Sequence, residues 1–379
     1  MGRVTRRSRT VRRITGTAAM VALLAACTAS SGNAGVRPES SASHTAARQI
    51  PCLPQVRLLP TRTATESSEA TAVNDNGWVA GWVAGPGPRD KRRAVLWRDN
   101  GPPLDLGVNG MPVDINEDGD VAIRGFENGK GYLWKDGTLH RLRGTRSRSI
   151  VLVEALNDYG VVVGSVLAAR ASSARAAVWH KGTVRVLRQP SGGPRLGDYL
   201  GQDINNKGLV IGFRVRPEVS YGPSYWWRSD GRDGALSTGD TDRGYATHVD
   251  DRGRVVGFVG GLSEDDPLGP NIKWRSVRSQ PKEFLSRRFW VFALHPDSGY
   301  VVGSRGSRRA FLAHLSNSRA TLLPDPPALD GFDAYSTQAF DVATGQNPYA
   351  GDGGVTVVGT AFFDSVARAV LWTCAQNYR

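Results

Sequence analysis

Ala155-Leu156-Asn157-Asp158-Tyr159-Gly160-Val161-Val162-Val163-Gly164 is the stretch that decides the fold, because the chain writes it repeatedly. Earlier copies read Ala72-Val73-Asn74-Asp75-Asn76-Gly77 and Asp114-Ile115-Asn116-Glu117-Asp118-Gly119, and a later one reads Asp203-Ile204-Asn205-Asn206-Lys207-Gly208. Three altered copies follow: His248-Val249-Asp250-Asp251-Arg252-Gly253, Ala293-Leu294-His295 running on to Gly299, and the region from Asp341 to Gly354, which carries an insertion. The turn glycines fall at 77, 119, 160, 208, 253 and 299, in steps of 42, 41, 48, 45 and 46 residues.

Each copy predicts its own strands. A β-branched run follows the turn, as in Leu209-Val210-Ile211-Gly212 or Val301-Val302-Gly303, with strand composition and no helical spacing. Next comes an apolar stretch ending in Trp, as in Ala94-Val95-Leu96-Trp97, Ala177-Val178-Trp179 and Ala369-Val370-Leu371-Trp372. Lys135-Asp136-Gly137 and His180-Lys181-Gly182 then supply the positive φ of a tight hairpin before a fourth short strand. A period of this length built from four short strands predicts an all-β fold, a seven-bladed β-propeller of four-stranded blades.

The ends of the chain predict how the ring closes. Residues 54–59 read as a fourth strand without its first three, and Leu371-Trp372 as a third strand without its fourth, so the N-terminal strand is expected to complete the last blade. Cys52 precedes that strand and Cys374 follows Trp372 by two residues, which predicts a Cys52–Cys374 disulfide across the seam. In the chain-entropy model, a loop of this length contributes up to roughly 5 kcal/mol. Two unpaired buried thiols are the alternative.

The third cysteine belongs to the N-terminus. Residues 1–26 hold six arginines and no acid, then an apolar run too short to span a bilayer, ending in Leu24-Ala25-Ala26-Cys27. This resembles a bacterial lipoprotein signal, which implies diacylation of Cys27, export and anchoring to the outer face of the cytoplasmic membrane. A plain secretory signal is the alternative, and Arg6-Arg7 and Arg12-Arg13 leave the export route open between general secretion and twin-arginine. Residues 27–50, rich in Ser and Ala, read as a flexible tether with a reach of about 25 Å. Residues 51–379 hold the propeller. The whole chain carries +13, and removing the six signal arginines leaves 42 basic against 35 acidic side chains. An exported lipoprotein rarely meets nucleic acid, so an anionic wall polymer, a lipid surface, a glycan or a protein is the expected partner, with the chain itself a monomer.

The paired elements, Asn-Asp-x-Gly-x-Val-Val-Gly followed by Ala-apolar-Leu-Trp, resemble the bacterial extracellular HAF repeat family over nearly all of residues 70–372. That resemblance implies secretion and repeats, and brings no established activity or catalytic residues. The family's His position is held here by Arg93, Lys130, Arg309 and Arg368, and its Phe remains only at Phe311.

Chemistry-bearing motifs are sparse. There is no Gly-x-Ser-x-Gly elbow, His-Glu-x-x-His, Cys-x-x-Cys or phosphate-cradling loop. Asp114, Asn116, Asp118 and Asp120 alternate before and around a glycine as calcium ligands do, though Gly125 stands where the late acid belongs. The competing reading is that the Asn and Asp side chains cap their own hairpin, as Asn74, Asn157 and Asn205 do. Arg93, Lys130, Arg309 and Arg368 hold one repeat position on neighbouring blades, which predicts a cationic arc for a polyanion; solvated strand-end charges are the alternative. Six tryptophans at one repeat position read as packing between blades. Trp78, Trp82, Trp226 and Trp290, with Tyr221 and insertions at 192–200 and 260–270, are candidates for a sugar or peptide site at one mouth. Two functions follow: a non-enzymatic binding or scaffolding propeller needing no cofactor, or a propeller enzyme of lyase or glycosidase type. The enzyme would use Asp114, Asp203, His248 and Asp341, which hold equivalent places in their repeats.

Overall fold

A computed structural model describes residues 54–374 except 88–89, 100, 128, 147–148, 168–173, 195–196, 216–221, 239–243, 261–268, 307, 318, 348–350 and 365. Cys27, Cys52, Tyr221, the signal and the tether therefore lie outside the described residues. Those described fall in one compact unit spanning 48–379.

All regular structure among them is strand. In chain order the strands are β1 (Gln55–Leu58), β2 (Ser67–Val73), β3 (Val79–Ala84), β4 (Arg93–Trp97), β5 (Leu104–Ile115), β6 (Val121–Gly125), β7 (Gly131–Lys135) and β8 (Thr138–Leu142). Then follow β9 (Ile150–Leu156), β10 (Val162–Leu167), β11 (Ala174–His180), β12 (Thr183–Val186), β13 (Asp198–Ile204), β14 (Val210–Val215), β15 (Ser224–Trp227) and β16 (Asp233–Ala235). Next are β17 (Gly244–Val249), β18 (Val255–Val259), β19 (Asn271–Trp274), β20 (Pro281–Leu285), β21 (Phe289–Leu294), β22 (Tyr300–Arg305), β23 (Arg309–His314) and β24 (Ala320–Leu322). The last three are β25 (Ser336–Asn347), β26 (Gly351–Phe362) and β27 (Ala367–Cys374).

These strands pair antiparallel in six sheets. Four are simple four-stranded meanders, β9 to β12, β13 to β16, β17 to β20 and β21 to β24. The seven-stranded sheet β2 to β8 contains one long strand, β5, whose first half pairs with β4 and whose second half, from Gly110, pairs with β6. In the sixth sheet, β25, β26 and β27 are completed by β1, with Val56 opposite Trp372 and Leu58 opposite Val370. The two ends of the chain thus share a sheet.

β2, the second half of β5, β9, β13, β17, β21 and β25 touch one another in that cyclic order, and β25 returns to β2. Hydrophobic clusters lie between neighbouring sheets rather than at one centre. Ala155, Val163 and Val178, for example, pack on Tyr199, Val210 and Trp227, and Val358 and Leu371 pack on Val73 and Trp97 across the seam. The repeated tryptophans staple these interfaces. The indole N–H of Trp97 donates to the Pro60 carbonyl, Trp179 to Arg143, Trp227 to Arg188, Trp274 to Ser237 and Trp372 to Pro324, each at 2.6–2.8 Å. A buried indole N–H needs such a partner, and these five copies of the repeat provide one.

The Val-Val-Gly element has a steric cause. A Cβ built on Gly81, Gly164, Gly212, Gly257, Gly303 or Gly359 would stand 1.7–2.0 Å from a carbonyl oxygen of the paired innermost strand. Only glycine admits that approach, and the approach exists because the innermost strand bulges there.

Candidate functional site

Each innermost strand carries one extra residue relative to its partner: Thr71, Val113, Glu154, Gln202, Thr247, Phe292 and Phe340. All seven stand three residues before the turn position held by Asn74, Asn116, Asn157, Asn205, Asp250, His295 and Ala343. A bulge frees its side chain from the alternation of the strand and re-aims it. Six of the seven line a single cavity of about 170 Å³ in the ring centre. Thr247 turns its hydroxyl to the Val256 carbonyl instead, and His248 occupies the wall there. The bulge residues form a collar whose chemistry changes from blade to blade while the surrounding scaffold repeats.

Beside the collar, Asp114, Asp203 and Asp341 make the same pair of bonds. One carboxylate oxygen accepts the next residue's N–H, from Ile115, Ile204 and Val342. The other accepts an N–H from the neighbouring innermost strand, from Leu156, Val249 and Val73, at 2.7–2.9 Å. These are clasps between blades.

The turns add two further inter-blade belts. Asn74, Asn116, Asn157 and Asn205 each accept an N–H of their own turn and donate through Nδ2 to the carbonyl of the equivalent residue in the next blade. One residue on, the N–H groups of Asp75, Glu117, Asp158 and Asn206 donate to the side chains of Glu117, Asp158, Asn206 and Asp251. At the seam, Asp75 accepts the Thr344 N–H and lies 3.1 Å from Nε2 of buried His295, whose Nδ1 accepts two backbone N–H groups. The cavity mouth is consequently rich in carboxyl groups.

Burial dominates their protonation. It raises Asp114 well above the carboxyl range, with Asp341 and Asp203 adding repulsion across the cavity. It lifts Asp203 to about 7, Glu117 to about 7 and Asp341 to about 6, against the opposing pull of backbone N–H donors. Burial also drives His248 down to about 4; its Nδ1 lies 3.9 Å from Asp203. Glu154 is raised by burial although the Arg124 guanidinium, paired with its Oε2, opposes the shift.

The sequence expectations divide accordingly. Asp114, Asp203, His248 and Asp341 do line one cavity. The calcium reading is corrected: Asp114 clasps the next blade, Asn116 serves its turn and its neighbour, and Asp120 is buried against Lys135 Nζ at 2.7 Å. No group of three or more His, Cys, Asp or Glu among the described residues is placed to hold a metal. The cationic arc is corrected too. Arg368 is 4% exposed and donates to the Ala64 carbonyl, Arg93 is bound to Asp105, and Arg309 pairs with Asp325 at 3.4 Å, so Lys130 does not belong to a row of free cations. Trp82 and Trp226 are buried, with Trp82 donating to Glu69, and Trp78 lies under the Arg98 guanidinium, so these rings do not line the cavity. Cys374 is buried and disulfide-bonded, and its expected partner Cys52 lies outside the described residues. The collar went unread because its signal is disagreement between copies: the position three before the turn residue is polar, apolar or aromatic by turns.

No family model matches the chain, and no curated protein matches it in sequence. Solved structures do. A catalytically inactive virginiamycin B lyase from Staphylococcus aureus with quinupristin is 10% identical, with 84% of this chain and 99% of that chain covered and a TM-score of 0.51. YCF48 bound to a D1 peptide is 16% identical over 86% of this chain and 99% of that one, with a TM-score of 0.46. The β-propeller domain of the Trilobed protease from Pyrococcus furiosus is 12% identical over 81% and 95%, at 0.49. At these identities the likeness concerns the fold alone. Topology and likeness define the class: an all-β protein of the β-propeller type.

Proposed function

We propose that the chain is a seven-bladed propeller of the HAF repeat kind, exported and anchored through a diacylated Cys27, that acts as a non-enzymatic binding module with its ligand site at the collar. The seven-blade count assigns the two halves of β5 to different blades and β1 to the last one. The observation that carries the binding reading is the commitment of Asp114, Asp203 and Asp341. An acid–base or nucleophilic carboxyl needs an oxygen aimed at substrate, whereas these three spend both oxygens on backbone N–H groups in the same way in three blades. The enzyme reading keeps one observation, the proximity of Asp203 and His248 with oppositely displaced pKa values.

Incubating the protein with a small-molecule and envelope-glycan extract separates the two. A module retains a component without converting it. Protein-dependent consumption of any component, lost in Asp203→Asn, would overturn the proposal. Cys27→Ala should abolish fatty-acid labelling and move the protein from the membrane fraction to the medium.

A further inference from the structure

We infer that the collar cavity binds a compact organic cation with a flat apolar body, Glu154 taking the charge and Phe292 with Phe340 taking the apolar flank. The inference rests on the collar being the ligand site, and adds the ligand's chemistry.

Three observations converge on it. The first is the make-up of the six collar residues on the cavity, which hold one carboxylate, one amide, one hydroxyl, one valine and two phenyl rings. Phe292 and Phe340 come from adjacent blades, with ring centroids 5.6 Å apart and planes tilted by 30°, and both are half-buried on the cavity wall. Two such rings side by side offer an apolar, electron-rich surface that favours the edge of an aromatic body or a cation. A hard metal ion gains nothing from them.

The second is the state of Glu154. Arg124 engages Oε2 and also holds the Val153 carbonyl, which fixes the carboxylate in the bulge. No described residue donates to Oε1, so Glu154 differs from Asp114, Asp203 and Asp341, whose oxygens are both taken. Gln202, one blade on, has its Oε1 occupied by the Tyr245 hydroxyl at 3.2 Å, which orients its amide N–H groups as donors for a ligand oxygen.

The third is the sign of the field. The chain has 48 Lys and Arg residues, yet none of the described ones lines the cavity, where seven carboxyl side chains do. Walls of low dielectric focus that potential on whatever enters. Arg124 shares the charge of Glu154 from behind and burial keeps Asp114, Asp203 and Glu117 partly protonated, but no described Lys or Arg lines the wall to receive an anion. Burial raises the protonation of Asp114, and repulsion from Asp341 and Asp203 adds to it, a crowding that a bound cation relieves.

Benzylammonium is a suitable probe, with benzyl alcohol and benzoate as its neutral and anionic counterparts. Calorimetric titration of the full chain in detergent should show saturable one-to-one binding of benzylammonium. Benzyl alcohol should bind at least tenfold more weakly, and benzoate should not bind. Glu154→Gln should lower benzylammonium affinity at least tenfold and bring it level with benzyl alcohol. Should that variant fail to fold, Phe340→Leu carries the test, weakening benzylammonium while leaving the circular dichroism spectrum unchanged. Equal affinity for benzylammonium and benzyl alcohol, or an unaltered affinity in a folded Glu154→Gln protein, overturns the cation site. Retention of some other extract component alongside that result leaves the binding-module reading standing; conversion of a component overturns that reading and not this one.

Discussion

Asn157 does three things from one buried position. Its Oδ1 accepts the N–H groups of Tyr159 and Val161, which closes its own turn, and its Nδ2 donates to the Asn205 carbonyl in the next blade at 3.1 Å. Asn157→Ala leaves the partly buried N–H groups of Tyr159 and Val161 without their acceptor while the Asn205 carbonyl keeps the Gly208 N–H, so at about 1–3 kcal/mol for each buried unpaired group the loss should be about 2 kcal/mol by urea unfolding. Asn157→Asp should cost less, because the acceptor half survives. The chain makes that substitution itself at Asp250, whose carboxylate still accepts the Arg254 N–H and gains its guanidinium. The turn asparagines were legible from the sequence, since Asn in a recurring turn caps its own backbone. Their second bond was not, because the partner carbonyl is 41–48 residues away.

At the scale of the element, the bulge and its glycine act as one unit. Gly212 faces Leu200, whose carbonyl oxygen would stand 2.0 Å from an added Cβ, with Trp227 close behind. Gly212→Ala therefore has to push apart β13 and β14, and should destabilise by about 3 kcal/mol, the upper end of ordinary overpacking. Gly182→Ala is the control: it has φ of +76° and nothing within 4 Å, so only backbone strain remains, about 1 kcal/mol. Comparable losses for the two variants in chemical denaturation would refute the bulge account. The strands themselves could be read from composition. That the residue following the glycine's partner is an extra one, re-aimed out of the strand's alternation, depends on pairing and so on the folded sheet.

For the whole molecule, closure and charge set stability together. The chain ends meet in one sheet, and Cys374 is disulfide-bonded at its edge. Reductant should lower the melting temperature, by an amount that reflects up to roughly 5 kcal/mol if the bond closes the long loop to Cys52. Asp203, Glu117 and Asp341, at about 7, 7 and 6 in the folded state, hold protons that the unfolded chain releases, so stability rises as pH falls from 8 toward 6.5. Below 6.5 the balance changes. His248, near 4 when folded, stays neutral while the unfolded histidine charges, which opposes further gain. The melting temperature should be higher at pH 6.5 than at pH 8 and go on rising toward pH 5, because the protons held by the three carboxyls outnumber the one His248 lacks, and His248→Gln should steepen the rise below pH 6.5. A melting temperature that climbs from pH 6.5 to 8 would contradict the assigned shifts.

Local spacing by itself determined the repeat, the four strands of each copy, the turn chemistry and the sharing of a sheet by the two chain ends, because each is written within a few residues or at a fixed period. The tertiary structure decided the rest. Asp114 and Asp203 became clasps rather than ligands or catalysts once N–H groups about one repeat away took their oxygens. Arg93, Arg309 and Arg368 ceased to be a free arc once Asp105, Asp325 and the Ala64 carbonyl took them. Glu154, Gln202, Phe292 and Phe340 became a site only when the ring brought one bulge from each blade to a common centre. Their meeting is a matter of radius and closure, and neither quantity is carried by any single repeat.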